Sequence, residues 1–129
     1  MDKRVYEIDG NNFSTLEEFW DEISRVLIPD VYWGRNLDAF NDILRGGFGT
    51  SDEGFVLVWK NSTLSKERLG FDETIRQLEK RLERCHPTNR EHVKLQIEES
   101  KRHKFPTVYE WLIEIIQYEE HADIELRLE

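Results

Sequence analysis

Phe55-Val56-Leu57-Val58-Trp59 is the stretch that most limits how this chain can fold. Five apolar residues in a row leave no side of a strand for water. A β-branched and aromatic run of this kind reads as a strand buried on both faces, as in a parallel sheet covered by helices. Parallel neighbours need long crossovers, and the flanking sequence supplies them. Val5 to Ile8 reads as a strand ended by the turn residues Asp9-Gly10-Asn11-Asn12. Asp123 to Leu128 alternates like a strand with one wet face.

Helices fill the intervals. Ser14 and Glu17 read as a capping box ahead of a stripe of Leu16, Phe19, Trp20, Ile23, Val26 and Leu27, which Pro29 closes. Asn36 is the expected N-cap of a second helix that buries Leu37, Phe40, Ile43 and Leu44. Residues 62–69 form a short helix stopped by Gly70. Asp72 is expected to cap a longer one carrying Phe71, Ile75, Leu78 and Leu82, and His86-Pro87 breaks it. Thr88 to Lys104 is read as a helix with a Thr88/Glu91 capping box, although Val93, Leu95 and Ile97 alternate like a strand. Thr107 and Glu110 cap a last helix with Trp111, Leu112, Ile115 and Ile116. Periodicity assigns Trp20, Trp59 and Trp111 to the core. The order β-α-α-β-α-α-α-α-β predicts an α/β fold with a small three-stranded parallel sheet packed by helices.

A chain of 129 residues suits one domain, residues 1–129. With 27 acids against 18 bases its net charge is −9. Such a protein repels phosphates, so direct nucleic-acid binding is disfavoured and a basic protein partner is favoured. The N-terminal MDKRVYEIDG lacks the apolar core of a signal peptide, and no run approaches a membrane span. Cys85 is the single cysteine, so no intramolecular disulfide forms. These features predict a cytoplasmic protein. The charge is uneven: residues 71–104 hold nine Lys/Arg against seven Asp/Glu, and residues 105–129 hold one Arg against seven acids.

The second helix carries an oddity. Asp38 and Asp42 lie one turn apart on its outer face, where like charges cost a few tenths of a kcal/mol, and Asp is a poor helix former. Asp38 has a structural explanation in the helix dipole, whereas Asp42 lies too far along for that. Enzymatic explanations fit poorly. Cys85, His86, His92 and His103 match no common zinc spacing, and nothing orients a histidine toward the cysteine. An Asp-x-x-x-Asp pair lacks a third Mg²⁺ ligand. Gly46-Gly47-Phe48-Gly49 follows a helix instead of opening one, the wrong order for a phosphate loop. No catalytic residue, metal or cofactor is expected.

Residues 29–44, PDVYWGRNLDAFNDIL, carry a resemblance. A proline, two aromatics, a glycine, then Asn-Leu-Asp-Ala and an aspartate four residues past the first resemble the signature of the barstar family, intracellular inhibitors of barnase-type ribonucleases. The resemblance extends to VYEIDG through RVL, to FVLVW with STLSKERLG, and to the end (WLIEIIQ and ADIELRL). It implies a three-stranded parallel sheet and a binding face in which the second helix and the loop before it plug a ribonuclease cleft, carboxylates standing in for RNA phosphates. The barnase–barstar pair is itself the reference case for electrostatic steering and for hot spots, and its large energies belong to that pair. Residue by residue, the resemblance implies partner contacts at Tyr32, Trp33, Gly34, Asn36, Asp38, Asn41 and Asp42, with Asp42 the deepest anchor. Gly46 and Phe48 match the glycine-aromatic rim. The implied partner is a basic ribonuclease, barnase-like or a divergent relative, and the inhibitor is expected to be a monomer before binding it. Four departures set this chain apart from the best-known member, and the one at Asn41 points to an alternative, an interaction module of the same fold with a non-nuclease partner. Asn41 stands where the best-known member has tryptophan, and Gly47 adds slack before Phe48. The acid contributed by the family's last helix has no unique match here, since shifting the alignment by one puts Tyr118 or Glu119 nearby. The segment at about 71–105 is a helical insert, longer than in short members.

Overall fold

The structure, a computed structural model, describes residues 4–45 and 54–129. Its elements are β1 (Arg4–Asp9), α1 (Leu16–Leu27), α2 (Leu37–Leu44), β2 (Phe55–Lys60), α3 (Ser62–Arg68), α4 (Phe71–Arg84), α5 (Arg90–Lys101), α6 (Val108–Ile116) and β3 (Glu125–Leu128). Short 3₁₀ turns cover Gly10–Asn12, Pro87–Asn89 and Glu119–His121. The strands form one sheet in the order β1-β2-β3, parallel throughout. The fold is α/β, as the order of elements predicts.

β2 is central and buried from Phe55 to Trp59. Leu57 pairs with Tyr6 and Leu126, and Trp59 with Ile8 and Leu128. This face meets α1, α2 and α6 in the main core, where Phe13, Phe19, Phe40 and Trp59 are all buried. The opposite face differs from the expectation of helices on both sides. Val56 and Val58 are buried but stand outside both helix-packed clusters. Their ladder neighbours are Val5 and Glu7 on one side and Glu125 and Arg127 on the other.

At Gly10, after β1, a Cβ would lie 2.5 Å from the Asn61 carbonyl oxygen, so only glycine lets the two turns approach this closely.

Three expected caps move. Thr15, not Ser14, caps α1 by accepting from Glu18 N, and the Glu18 carboxylate takes the Ser14 N–H and hydroxyl. Glu17 is drawn across to α4 instead, accepting from Arg76, Gln77 and Lys80. Gly70, not Asp72, stands at the α4 N-cap, without a side-chain bond. Thr88 bonds His86 and forms no box with Glu91, yet α5 is a helix as read. The Thr107/Glu110 box is present.

The 71–105 segment is a helical hairpin with its own small core of Leu78, Val93 and Ile97. It is bonded firmly to the rest. The buried Glu73 carboxylate accepts from Leu16 N at 2.7 Å, at the start of α1. Thr74 Oγ1 accepts from Val108 N at 2.8 Å, at the start of α6. These bonds satisfy helix-terminal donors that would otherwise be orphaned in the interior. Trp111 is half-buried, not fully core. It packs at the edge of both clusters, with the Arg81 guanidinium 5.8 Å from its ring centre.

Candidate functional site

Sequence sets the orientation of α2. Asn36 Oδ1 accepts from Ala39 N at 2.8 Å, which starts the helix, and Phe40, Ile43 and Leu44 turn into the core. The remaining face goes outward. Asp38 and Asp42 are both exposed, and neither carboxylate has a hydrogen-bond or ion-pair partner among the described residues. One turn separates them, about 5–6 Å between Cβ atoms.

The loop from Ile28 to Asn36 fixes what lies beside this face. Tyr32 and Trp33, adjacent in sequence, part company. The Trp33 side chain is 5% exposed. Its ring meets Trp20 edge-on at 5.3 Å, and its Nε1 donates to Ser24 Oγ at 2.6 Å. Tyr32 is 91% exposed. Of these two aromatics, only Tyr32 exposes its ring; Trp33 packs inside and anchors the loop. Gly34 (φ +41) and Arg35 (φ +51) then take left-handed backbone, and Arg35 N donates back to Trp33 O. Left-handed backbone is natural for Gly34 and strained for Arg35. The Arg35 side chain is tied to Asp21 at 2.6 Å.

Asn41 is not a free contact. Its Oδ1 accepts from His121 Nε2 at 2.6 Å. His121 is 1% exposed, and its Nδ1 has no partner. Burial, then the nearby Arg45 charge, pushes its pKa below the ordinary value, while Glu120 and Asp123 pull the other way. A neutral ring donating from Nε2 fits both facts. Beside it Arg45, just past α2, pairs with Glu120. The turn after α6 therefore holds α2 at two points. Composition and spacing gave no signal for His121, because its partner is 80 residues away in sequence.

A groove of about 380 Å³ runs between α2 and α6, lined by Leu37, Asp38, Asn41, Trp111, Glu114, Ile115 and Tyr118. Glu114 is the acid of α6 that shares a groove with Asp38. Trp111, Glu114, Ile115 and Tyr118 have the spacing of one helix face, which is how Glu114 comes to line this groove. Gly46 and Phe48 lie outside the described residues. No cluster of metal-ligating side chains occurs among the described residues.

A small parallel sheet with a helix presenting unpartnered carboxylates defines a compact α/β domain with an acidic outer face. The family follows from the sequence match: the chain belongs to the barstar family, whose model, described as barstar (barnase inhibitor), matches residues 3–100. That match takes in β1 through most of α5 and stops before α6 and β3. No individual curated protein matches the chain.

Proposed function

We propose that this protein is an immunity-type inhibitor, not an enzyme, that holds a basic extracellular-type ribonuclease inactive in the cytoplasm. It does so by occluding the active site with α2 and the loop before it. The observation that carries this reading is the exposed, unpartnered Asp38/Asp42 pair on a helix whose other face is locked in the core. A ribonuclease cleft must neutralise phosphates and a charged transition state, so it presents cations. Carboxylates set at those positions take charge-assisted hydrogen bonds from them. Desolvating the pair is costly unless the cations are already in place. Repulsion between the two aspartates in the free protein is then relieved in the complex. Buried Trp33, the Asn36 cap and the His121–Asn41 bond fix the geometry beforehand, which lowers the ordering cost of binding.

A second reading, a module of the same fold with a non-nuclease partner, draws on one observation. The centre of α2 carries Asn41, already engaged by His121, where a large contact residue is expected by resemblance.

The test is capture from the source cell's lysate by wild type beside Asp38→Ala/Asp42→Ala, with bound proteins identified and assayed for RNA cleavage. A basic ribonuclease held by wild type and lost by the double variant supports inhibition through this face. A partner without ribonuclease activity supports the second reading. A ribonuclease held equally by both moves the interface away from α2.

A further inference from the structure

A second groove, of about 640 Å³, adjoins the acidic face. Its lining includes Asp38 and Leu37 from α2, Trp111 from α6, and Lys80, Arg81 and Arg84 from α4. Asp38 thus lies between two grooves, one shared with Glu114 and one walled by cations. The placement is unusual for this chain. Residues 71–104 hold nine Lys/Arg and seven acids, whereas the rest holds nine against twenty. Much of the hairpin's positive charge is used internally: Arg76 and Lys80 both bond Glu17. Two cations of the last α4 turn have no ion-pair partner among the described residues. Arg81 lies over the Trp111 ring, and the exposed Arg84 has no side-chain partner among the described residues.

A basic last turn complements the helix dipole. That accounts for the charge but not for its position beside Trp111 and Asp38. Arginines beside a half-buried tryptophan are the composition of an interface centre. We infer that the α4 flank is a second recognition surface for the ribonuclease, with Arg81 and Arg84 receiving acidic side chains that border the enzyme's basic cleft. The inference rests on the proposed inhibitory function, since a body seated on Asp38 covers the mouth of this groove. Charge decides the occupant. RNA would bring phosphates against the unpaired Asp38 in the same lining, whereas a protein can place acids and bases side by side. The long hairpin then selects among nucleases: those with an acidic rim gain contacts, and those with a basic rim are repelled.

The experiment is inhibition of barnase, and of the ribonuclease captured from the source cell's lysate, by wild type, Asp42→Ala and Arg84→Glu, with circular dichroism confirming the fold of each. A photocrosslinker attached to the new thiol of the double variant Arg84→Cys/Cys85→Ser serves as a second readout. Arg84→Glu is expected to weaken inhibition roughly tenfold. The crosslinker is expected to label the inhibited ribonuclease, with labelling lost when Asp42→Ala is added. Weakening by Asp42→Ala with no effect of Arg84→Glu and no crosslink overturns the flank and leaves the inhibitory reading standing. No inhibition of either enzyme by wild type overturns both. Binding of a fluorescent oligouridylate that Arg84→Glu abolishes, with inhibition unchanged, overturns the protein occupant in favour of RNA.

Discussion

The same chemical group is used in opposite ways at the α1–α4 seam and on the outer face of α2. Around α1 the buried carboxylates are all engaged. Glu73 takes Leu16 N, Arg76 and Gln77. Glu22 takes Asp9 N, Asn12 and Arg25. Burial pushes the Glu22 carboxyl up, yet those hydrogen bonds outweigh it and hold it below the ordinary value. On α2 the two aspartates have no partner among the described residues, and they repel each other. Paired carboxylates fasten helices together, while unpaired ones on a rigid face are available to another molecule. The difference separates structure from recognition without reference to residue type.

Removing one acid from each region breaks the comparison most directly. Asp42→Ala is expected to cost inhibition several kcal/mol, a size taken from the family's reference complex and not from the geometry. Its urea midpoint is expected to equal wild type or exceed it slightly. Titration against the captured ribonuclease, beside urea unfolding, checks both halves. Glu73→Ala reverses the pattern. It orphans the buried Leu16 N–H and strips Arg76 of a partner, for an expected loss of about 3 kcal/mol of stability. Inhibition by the folded fraction should be unchanged, and a weakened inhibitor of normal stability would contradict the division.

A smaller effect sharpens the link between the helix start and the acidic face. Asn36→Ala removes the α2 cap, for about 1 kcal/mol of stability, and should loosen binding through disorder of the Asp38 turn. Amide exchange at Ala39 reads that loosening directly.

The weakest effects come from pH. The folded environment disfavours charged His121, so its contribution is full above the ordinary value of 6.5 and is lost as pH falls below it. His121→Gln should flatten the stability profile across that window. At Glu17, burial raises the carboxyl, but bonds from Arg76, Gln77 and Lys80 bring it from 4.5 to about 2. Its contribution is present above 4.5 and fades as pH falls toward 2, and it is modest because the side chain is nearly half exposed. Glu17→Gln should remove that acid-side slope in urea melts at low ionic strength.

Element order, the central buried strand, the buried stripe of α1, the Asn36 and Thr107 caps and the outward face of α2 were all legible in the sequence. Each follows from residues within a few positions of one another, where periodicity and capping chemistry act. Which of Tyr32 and Trp33 turns inward was not legible, because a loop has no periodicity and the choice rests on Trp20 and Ser24. Thr15 and not Ser14 caps α1, and Glu17 is claimed by α4, about 60 residues on. Trp111 is half-buried because it sits at the edge of both core clusters and lines the two grooves beside Asp38. His121 reaches Asn41, and Glu114 comes beside Asp38, only once α6 is laid along α2. Local chemistry sets what each segment is; packing between segments sets which side chains remain free to meet a partner.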